Sequence, residues 1–105
     1  MLISVILPTY QEEKYIKNCL KSLLNNTLKD HKLEILIIDG MSTDKTREII
    51  NKLRNEYSNI KIIDNPDTYQ VHALNIGLRE AKGDIIIRID AHCEYPSDYI
   101  EELVK

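Results

Sequence analysis

Ile85-Ile86-Ile87-Arg88-Ile89-Asp90-Ala91-His92 is a short apolar run that ends on a carboxylate and an imidazole. Its β-branched residues mark a strand, and strand geometry sends residues two apart to the same side. If the extended conformation lasts to the end of this stretch, Asp90 and His92 face one crevice together. A second run, over residues 33–38, ends on Asp39 in the same way. Open parallel sheets take their ligands outside the carboxyl ends of the strands. Two acids and an imidazole on that rim predict a metal-assisted nucleotide site.

The rest of the chain alternates strand and helix around these two runs. Residues 3–7 read as a buried strand closed by Pro8-Thr9-Tyr10. A helix is expected from Glu12 to about Asn25, with Ile16, Cys19, Leu20, Leu23 and Leu24 on one stripe. Ser42, Thr43 and Asp44 offer N-caps for a second helix to about Glu56, with Ile49, Ile50 and Leu53 inward. Residues 60–63 form a third strand, ended by Asp64-Asn65-Pro66. A helix over roughly 71–81 should turn Leu74, Leu78 and Ala81 inward, with Gly83 as its C-terminal cap. The fourth strand is 85–89, and Pro96-Ser97-Asp98 starts a last helix that runs to Lys105.

Strands joined by helices imply right-handed crossovers and a parallel sheet. The fold class predicted is α/β, a Rossmann-like parallel sheet in the order 3-2-1-4 with helices on both faces. The chain changes direction across the sheet between strands one and four. That switch point sets Pro8-Thr9-Tyr10 opposite Asp90-Ala91-His92, where a ligand crevice is expected.

Composition narrows the partners. A chain of 105 residues is one domain, and its 43% hydrophobic residues are enough for a core of Ile and Leu without Phe or Trp. The formal net charge is −3, with both signs spread along the chain. No basic face of the kind that binds nucleic acid is present, so nucleic acid is excluded as a partner. Cys19 and Cys93 fit no zinc or redox spacing, and Cys19 falls on the apolar stripe as core filling. Two unpaired thiols without a signal peptide fit a cytoplasmic protein. No apolar run approaches the length of a membrane span.

A phosphate-binding fold of this class normally declares a glycine loop. The glycines here, at 40, 77 and 83, make neither G-x-G-x-x-G nor G-x-x-x-x-G-K-[ST]. A divalent metal held by Asp90 and His92 would neutralise a diphosphate instead. Carboxylate and phosphate oxygens suit Mg²⁺ or Mn²⁺, and an imidazole tilts the choice towards a transition metal. Each residue also has a plainer reading. A strand-end acid such as Asp90 or Asp39 can simply fix its own turn, and a lone histidine is more often a surface group than a ligand. Glu12, Glu13 and Lys14 read first as a solvated opening turn of helix. Arg88, odd in an apolar strand, is assigned to a structural ion pair, and Gly77 to close helix–sheet packing. The shared position on the rim is what favours a site.

These motifs resemble family 2 glycosyltransferases. Ser4-Val5-Ile6-Leu7-Pro8-Thr9-Tyr10-Gln11-Glu12-Glu13 is similar to the family's opening S-V-I-[IL]-P-T-Y-N-E-E. Ile37-Ile38-Asp39-Gly40-Met41-Ser42-Thr43-Asp44-Lys45-Thr46 resembles its V-V-D-[DG]-x-S-T-D-x-T segment. Ala73-Leu74-Asn75-Ile76-Gly77 and Gly83-Asp84-Ile85 match the helix and strand before the metal motif, and Asp90-Ala91-His92 stands where the family carries D-x-D or a variant. The resemblance covers essentially the whole chain. It implies the N-terminal, nucleotide-sugar-binding part of a GT-A fold over residues 1–105.

The roles that follow are implied by the resemblance. Tyr10 would lie against the nucleobase, with Pro8 and Thr9 shaping the pocket. Glu12 would approach the ribose and Asp39 would hydrogen-bond the base. Asp90 would reach the diphosphate through Mn²⁺ or Mg²⁺, with His92 in place of a second aspartate. The donor implied is a UDP-sugar, and the acceptor a saccharide or a lipid-linked glycan, joined with inversion in polysaccharide or glycoconjugate synthesis. Gln11, Gly40 and His92 depart from the common pattern, and His92 makes metal binding more pH-sensitive.

The family's catalytic base and acceptor pocket belong to a later part of the domain, so this chain is expected to bind donor without transferring sugar. Uncovered strand edges add an expectation of homo-oligomers, and a longer parent would work at the inner face of the membrane. Two other classes compete: a non-catalytic nucleotide-binding or assembly module, and a sugar nucleotidyltransferase. The latter would want a glycine-rich basic loop after the first strand, and Pro8-Thr9-Tyr10-Gln11-Glu12 is not one.

Overall fold

A computed structural model describes residues 1–104, which form a four-stranded sheet flanked by helices. The elements run β1 (Leu2–Thr9), α1 (Ile16–Leu24), β2 (Lys32–Asp39), α2 (Thr46–Glu56), β3 (Ile60–Asp64), α3 (Gln70–Glu80), β4 (Ile85–Arg88) and α4 (Tyr99–Leu103). Every strand pairing is parallel and the order is β3-β2-β1-β4, as the alternation of elements predicts. In register, Thr9 lies beside Asp39 and Asp39 beside Asp64, so three strands end together on one rim.

Strand alternation builds two cores. Ile3, Val5 and Leu7 with Ile35 and Ile37 pack under Ile16, Leu20 and Leu23 of α1 and Ile50 and Leu53 of α2. On the other side Ile6, Leu36 and Ile38 meet Ala73 of α3. Helices therefore cover both faces. The closeness of α3 depends on Gly77, where a Cβ would stand 2.7 Å from Ile6 Cγ2.

Several local expectations are corrected. The first helix begins at Ile16 rather than Glu12. Residues 12–15 are a turn that precedes it, because Gln11 leaves β1 with a φ of 54° and sends the chain across to the β2–α2 loop. The second helix opens at Thr46, whose N–H and hydroxyl both donate to Asp44 Oδ1, while Ser42 serves Asp39 instead. Leu78 is 48% exposed, since Ala73 and Gly77, with Leu74 and Ile76 beside them, are the residues of α3 that meet the sheet. Gly83 is not a cap. Residue 81 ends α3 in an extended conformation, and a Cβ on Gly83 would lie 2.7 Å from Ser4 N. Arg88 is exposed and makes no ion pair among the described residues. The last helix, expected from Pro96 to Lys105, spans Tyr99–Leu103; Lys105 lies outside the described residues.

A buried polar cluster lies between the sheet and the α3–β4 connection. Glu34, 8% exposed, accepts the Ser4 hydroxyl at 2.5 Å and the Lys82 N–H at 2.8 Å, with Lys61 Nζ 3.8 Å away. Ser4 Oγ in turn accepts the Gly83 N–H. Burial would raise the Glu34 carboxyl, but the hydrogen bonds from Ser4 and Lys82 and the two lysine charges outweigh it and hold it below its ordinary value. The cluster fastens the α3–β4 connection to β1 and β2.

Candidate active site

A crevice of about 230 Å³ opens at the carboxyl ends of β1 and β4, where the strand order reverses. Pro8, Thr9, Tyr10 and Glu12 line one part, Ile89, Asp90, Ala91 and His92 another, and Asn65, Thr68, Gln70 and Ala73 a third. Six of the seven residues expected at the site thus meet in one cavity. Asp39 does not line it.

Asp39 is fully buried, and its two oxygens already accept four hydrogen bonds. Oδ1 takes the hydroxyls of Thr9 and Ser42, each at 2.7 Å. Oδ2 takes the Ser42 N–H at 2.8 Å and Arg47 at 3.0 Å. The expected bond from a base to Asp39 therefore finds no free lone pair. Arg47 also reaches Asp64 at 2.5 Å, which straps the ends of β2 and β3 together. The Asp64 hydrogen bond and the charges of both acids hold the Arg47 guanidinium above its ordinary value, so it stays charged. Arg47 is the second residue of α2, one position past the segment that ends at Thr46, and nothing in its local sequence pairs it with Asp39 and Asp64.

The extended conformation of β4 stops at Arg88, and Asp90-Ala91-His92 is a turn. Asp90 Oδ1 accepts the His92 N–H at 2.9 Å, which is the turn-fixing part that a strand-end acid plays. Oδ2 has no hydrogen bond among the described residues. His92 swings towards α1 instead of lying parallel to Asp90: its Nε2 stands 2.5 Å from Glu12 Oε2, and its ring lies 4.9 Å from that of Tyr15. Burial pushes the Glu12 carboxyl above its ordinary value, against the pull of His92, and the nearby Asp90 and Asp44 charges add to the rise. Glu12, only 14% exposed, is thus a held group and not a solvated first-turn acid.

The loop after β3 supplies the residues that sequence reading did not single out as site residues. Asn65 is 1% exposed; its Nδ2 donates to Tyr69 O at 2.9 Å, while Oδ1 has no partner among the described residues. An unpaired buried amide oxygen costs about 1–3 kcal/mol, the kind of cost that a ligand donor can offset. Thr68 sits at a φ of 70°, and Gln11 and Met41 also have positive φ, so one such residue follows each of β1, β2 and β3. For a β-branched residue such as Thr68 this backbone is strained, and strain of this kind gathers at ligand-binding rims. Gln11 closes the rim from the other side, with Oε1 accepting the Thr43 N–H at 2.6 Å and Nε2 donating to Thr43 Oγ1 at 3.0 Å.

Among the described residues no three His, Cys, Asp or Glu side chains gather in a metal-binding group. Asp90 Oδ2 is a free, hard oxygen donor at the crevice; Glu12 engages only Nε2 of His92, which leaves Nδ1 as the nitrogen that could join it. One carboxylate with diphosphate oxygens and water is a fitting shell for Mn²⁺ or Mg²⁺ that arrives with a nucleotide.

Comparison with known proteins follows the same lines. A model of the family described as Glycosyl transferase family 2 matches residues 4–105. A dolichyl N-acetyl-alpha-D-glucosaminyl phosphate 3-beta-D-2,3-diacetamido-2,3-dideoxy-beta-D-glucuronosyltransferase of Methanococcus voltae is 41% identical over 98% of the chain and 33% of its own length. TarS 1–349 of S. aureus, solved in complex with UDP-GlcNAc, superposes with a TM-score of 0.86 at 29% identity, over 99% of this chain and 30% of that one. The mannosyltransferase PcManGT of Pyrobaculum calidifontis, solved with GDP-Man and Mn²⁺, gives 0.82 at 29% identity over 90% and 28%. The chain spans between 11% and 40% of the length of the curated relatives it matches here. No helix among the described residues is long and apolar enough to cross a membrane.

Proposed function

The chain belongs to glycosyl transferase family 2, and from that premise we propose that its crevice binds the nucleoside diphosphate of a UDP-sugar. The sugar then passes, with inversion, to a hydroxyl of a saccharide or lipid-linked acceptor, in polysaccharide or glycoconjugate synthesis. The observation that carries this reading is one cavity lined by both Tyr10, 48% exposed, and the free oxygen of Asp90. An aromatic face and a carboxylate across a strand-end crevice suit a base at one side and a metal-neutralised diphosphate at the other.

In that pose Tyr10 stacks on the base over the wall made by Pro8 and Thr9. Asn65 lies on the facing wall, where its buried side chain, with Oδ1 unpaired among the described residues, supports the loop after β3. Asp39 fixes Ser42 and Arg47, so that the β2 and β3 ends form a firm floor. Glu12 faces the ribose side and keeps His92 in place. Asp90, and His92 through its remaining ring nitrogen, would hold Mn²⁺ or Mg²⁺, which would supply positive charge at the diphosphate.

Transfer forms a bond from the acceptor oxygen to the anomeric carbon and breaks that carbon's bond to the diphosphate; the hydroxyl proton goes to a base. Glu12 is committed to His92, Asp39 is sealed from the crevice, and Asp90 faces the diphosphate. We assign the base to none of them. Residues 1–105 are thus a donor-binding unit.

Calorimetric titration of UDP and GDP into the chain, with and without Mn²⁺, tests the reading. Manganese-dependent UDP binding that disappears in Asp90→Ala is expected. Preference for GDP would transfer the proposal to a guanosine donor, as in the PcManGT complex. Absence of any nucleotide binding by the folded chain would overturn it.

A further inference from the structure

We propose that Tyr95 is a positioning residue that aims the Asp90 carboxylate, an inference that rests on Asp90 facing a metal-bound diphosphate. The sheet does not hold Asp90. Its last ladder-like bond is Ile89 N–H to Ile6 O at 3.0 Å, one residue earlier. Past that point both backbone polar groups of Asp90 meet one phenol, and the Asp90 carbonyl also accepts the Cys93 N–H at 3.4 Å and the Cys19 thiol at 3.6 Å. The Asp90 N–H donates to Tyr95 Oη at 3.1 Å, and the Tyr95 hydroxyl donates to Asp90 O at 2.9 Å. Fixing both peptide planes around one Cα fixes the direction of its Cβ, and with it the arc open to Oδ2.

The phenol is in turn held by a rigid element. Tyr95 N–H donates to Ser22 Oγ of α1 at 2.9 Å, and its ring lies 4.7 Å from that of Tyr99. Asn26, just past the end of α1, donates from Nδ2 to Ser22 O and Pro96 O. Asp90 is therefore referenced to α1, through Tyr95 at both of its backbone polar groups and through the Cys19 thiol at its carbonyl, and not to the strand that precedes it. Supporting groups of this kind govern metal affinity almost as strongly as the ligands themselves.

Tyr95→Phe keeps the ring and removes the oxygen. Free Mn²⁺ measured by electron paramagnetic resonance in the presence of UDP should show the metal-dependent affinity weakened about tenfold or more. UDP affinity without metal, measured by calorimetry, should keep its wild-type value. A merely structural tyrosine would lower both together or neither, and either result with an intact circular dichroism spectrum overturns the inference. If Tyr95→Phe fails to fold, Asn26→Ala loosens the same anchor at a distance, and its metal-dependent affinity must then fall for the inference to stand. Manganese-dependent binding lost in Asp90→Ala but kept in Tyr95→Phe overturns the role of Tyr95 alone. A wild-type chain with no manganese-dependent component overturns both readings.

Discussion

Glu34 shows how a single buried side chain contributes to the acid response of the fold. Held below its ordinary value of 4.5 by Ser4 and Lys82, it binds its proton less tightly in the fold than in the unfolded chain. Its contribution is complete above that value and is lost as the pH falls through the lower, folded one. Urea unfolding followed from neutral pH down to about pH 3 should show stability declining across that window, and Glu34→Gln should flatten the decline. Ser4→Ala removes a buried donor to a charged acceptor and should cost about 1–3 kcal/mol in the same measurement. Neither partner announces itself in sequence, since Glu34 interrupts an apolar strand without any local mate. The site residues were more legible. Tyr10 and Asp90 follow from the positions at which apolar runs end, and both line the crevice. Asp39 follows the same rule, yet the hydroxyls of Thr9 and Ser42 and the guanidinium of Arg47 seal it. Which strand-end acid stays open is decided by neighbours from other elements, and no local pattern reports them.

At the scale of elements, the strands were legible because buried parallel strands are continuous apolar runs, and the order follows from right-handed crossovers. Helix ends and faces were less so. The reading of α3 put Leu78 inward on apolarity alone, whereas contact with β1 selects the smallest residue, Gly77. That choice predicts a graded response. Gly77→Ala presses a methyl on the Ile6 side chain, which can turn, and should cost about 1–3 kcal/mol in thermal or urea unfolding. Gly83→Ala meets the backbone of Ser4 at 2.7 Å and of Leu2 at 2.9 Å, which cannot turn, so it should cost more. Equal stability of the two variants would contradict the packing described for the α3–β4 connection. The start of α1 was misplaced for another reason. Periodicity sees the acids of residues 12–13 as helix, but Glu12 N–H is claimed by Thr46 Oγ1 at 2.8 Å, which holds the chain in a turn.

For the whole molecule, β3 and β4 are the two edges of the sheet, and β4 carries Ile86 at 42% exposure, with Leu78 of α3 also exposed. An edge strand with unpaired peptide groups and an apolar neighbour is a template for another chain. Light scattering across concentration should show self-association of the 105-residue chain, reduced by Ile86→Lys, which places a charge on that edge. A strictly monomeric profile at every concentration would count against the open edge as a sticky surface.

The central place of β1, with β2 on one side and β4 on the other, also sets a timetable for the ribosome. The strand made first is the one that needs both neighbours, and its partner on the β4 side begins at Ile85. At translation rates of 5–20 residues per second, roughly 80 residues take roughly 4–16 s to follow it. For that interval Ile3 to Ile6, destined to be fully buried, has half of its ladder vacant while β2 can already dock on the other side. The nascent chain thus depends on early pairing of β1 with β2, or on a chaperone, until β4 leaves the exit tunnel and completes the rim on which the nucleotide is to rest.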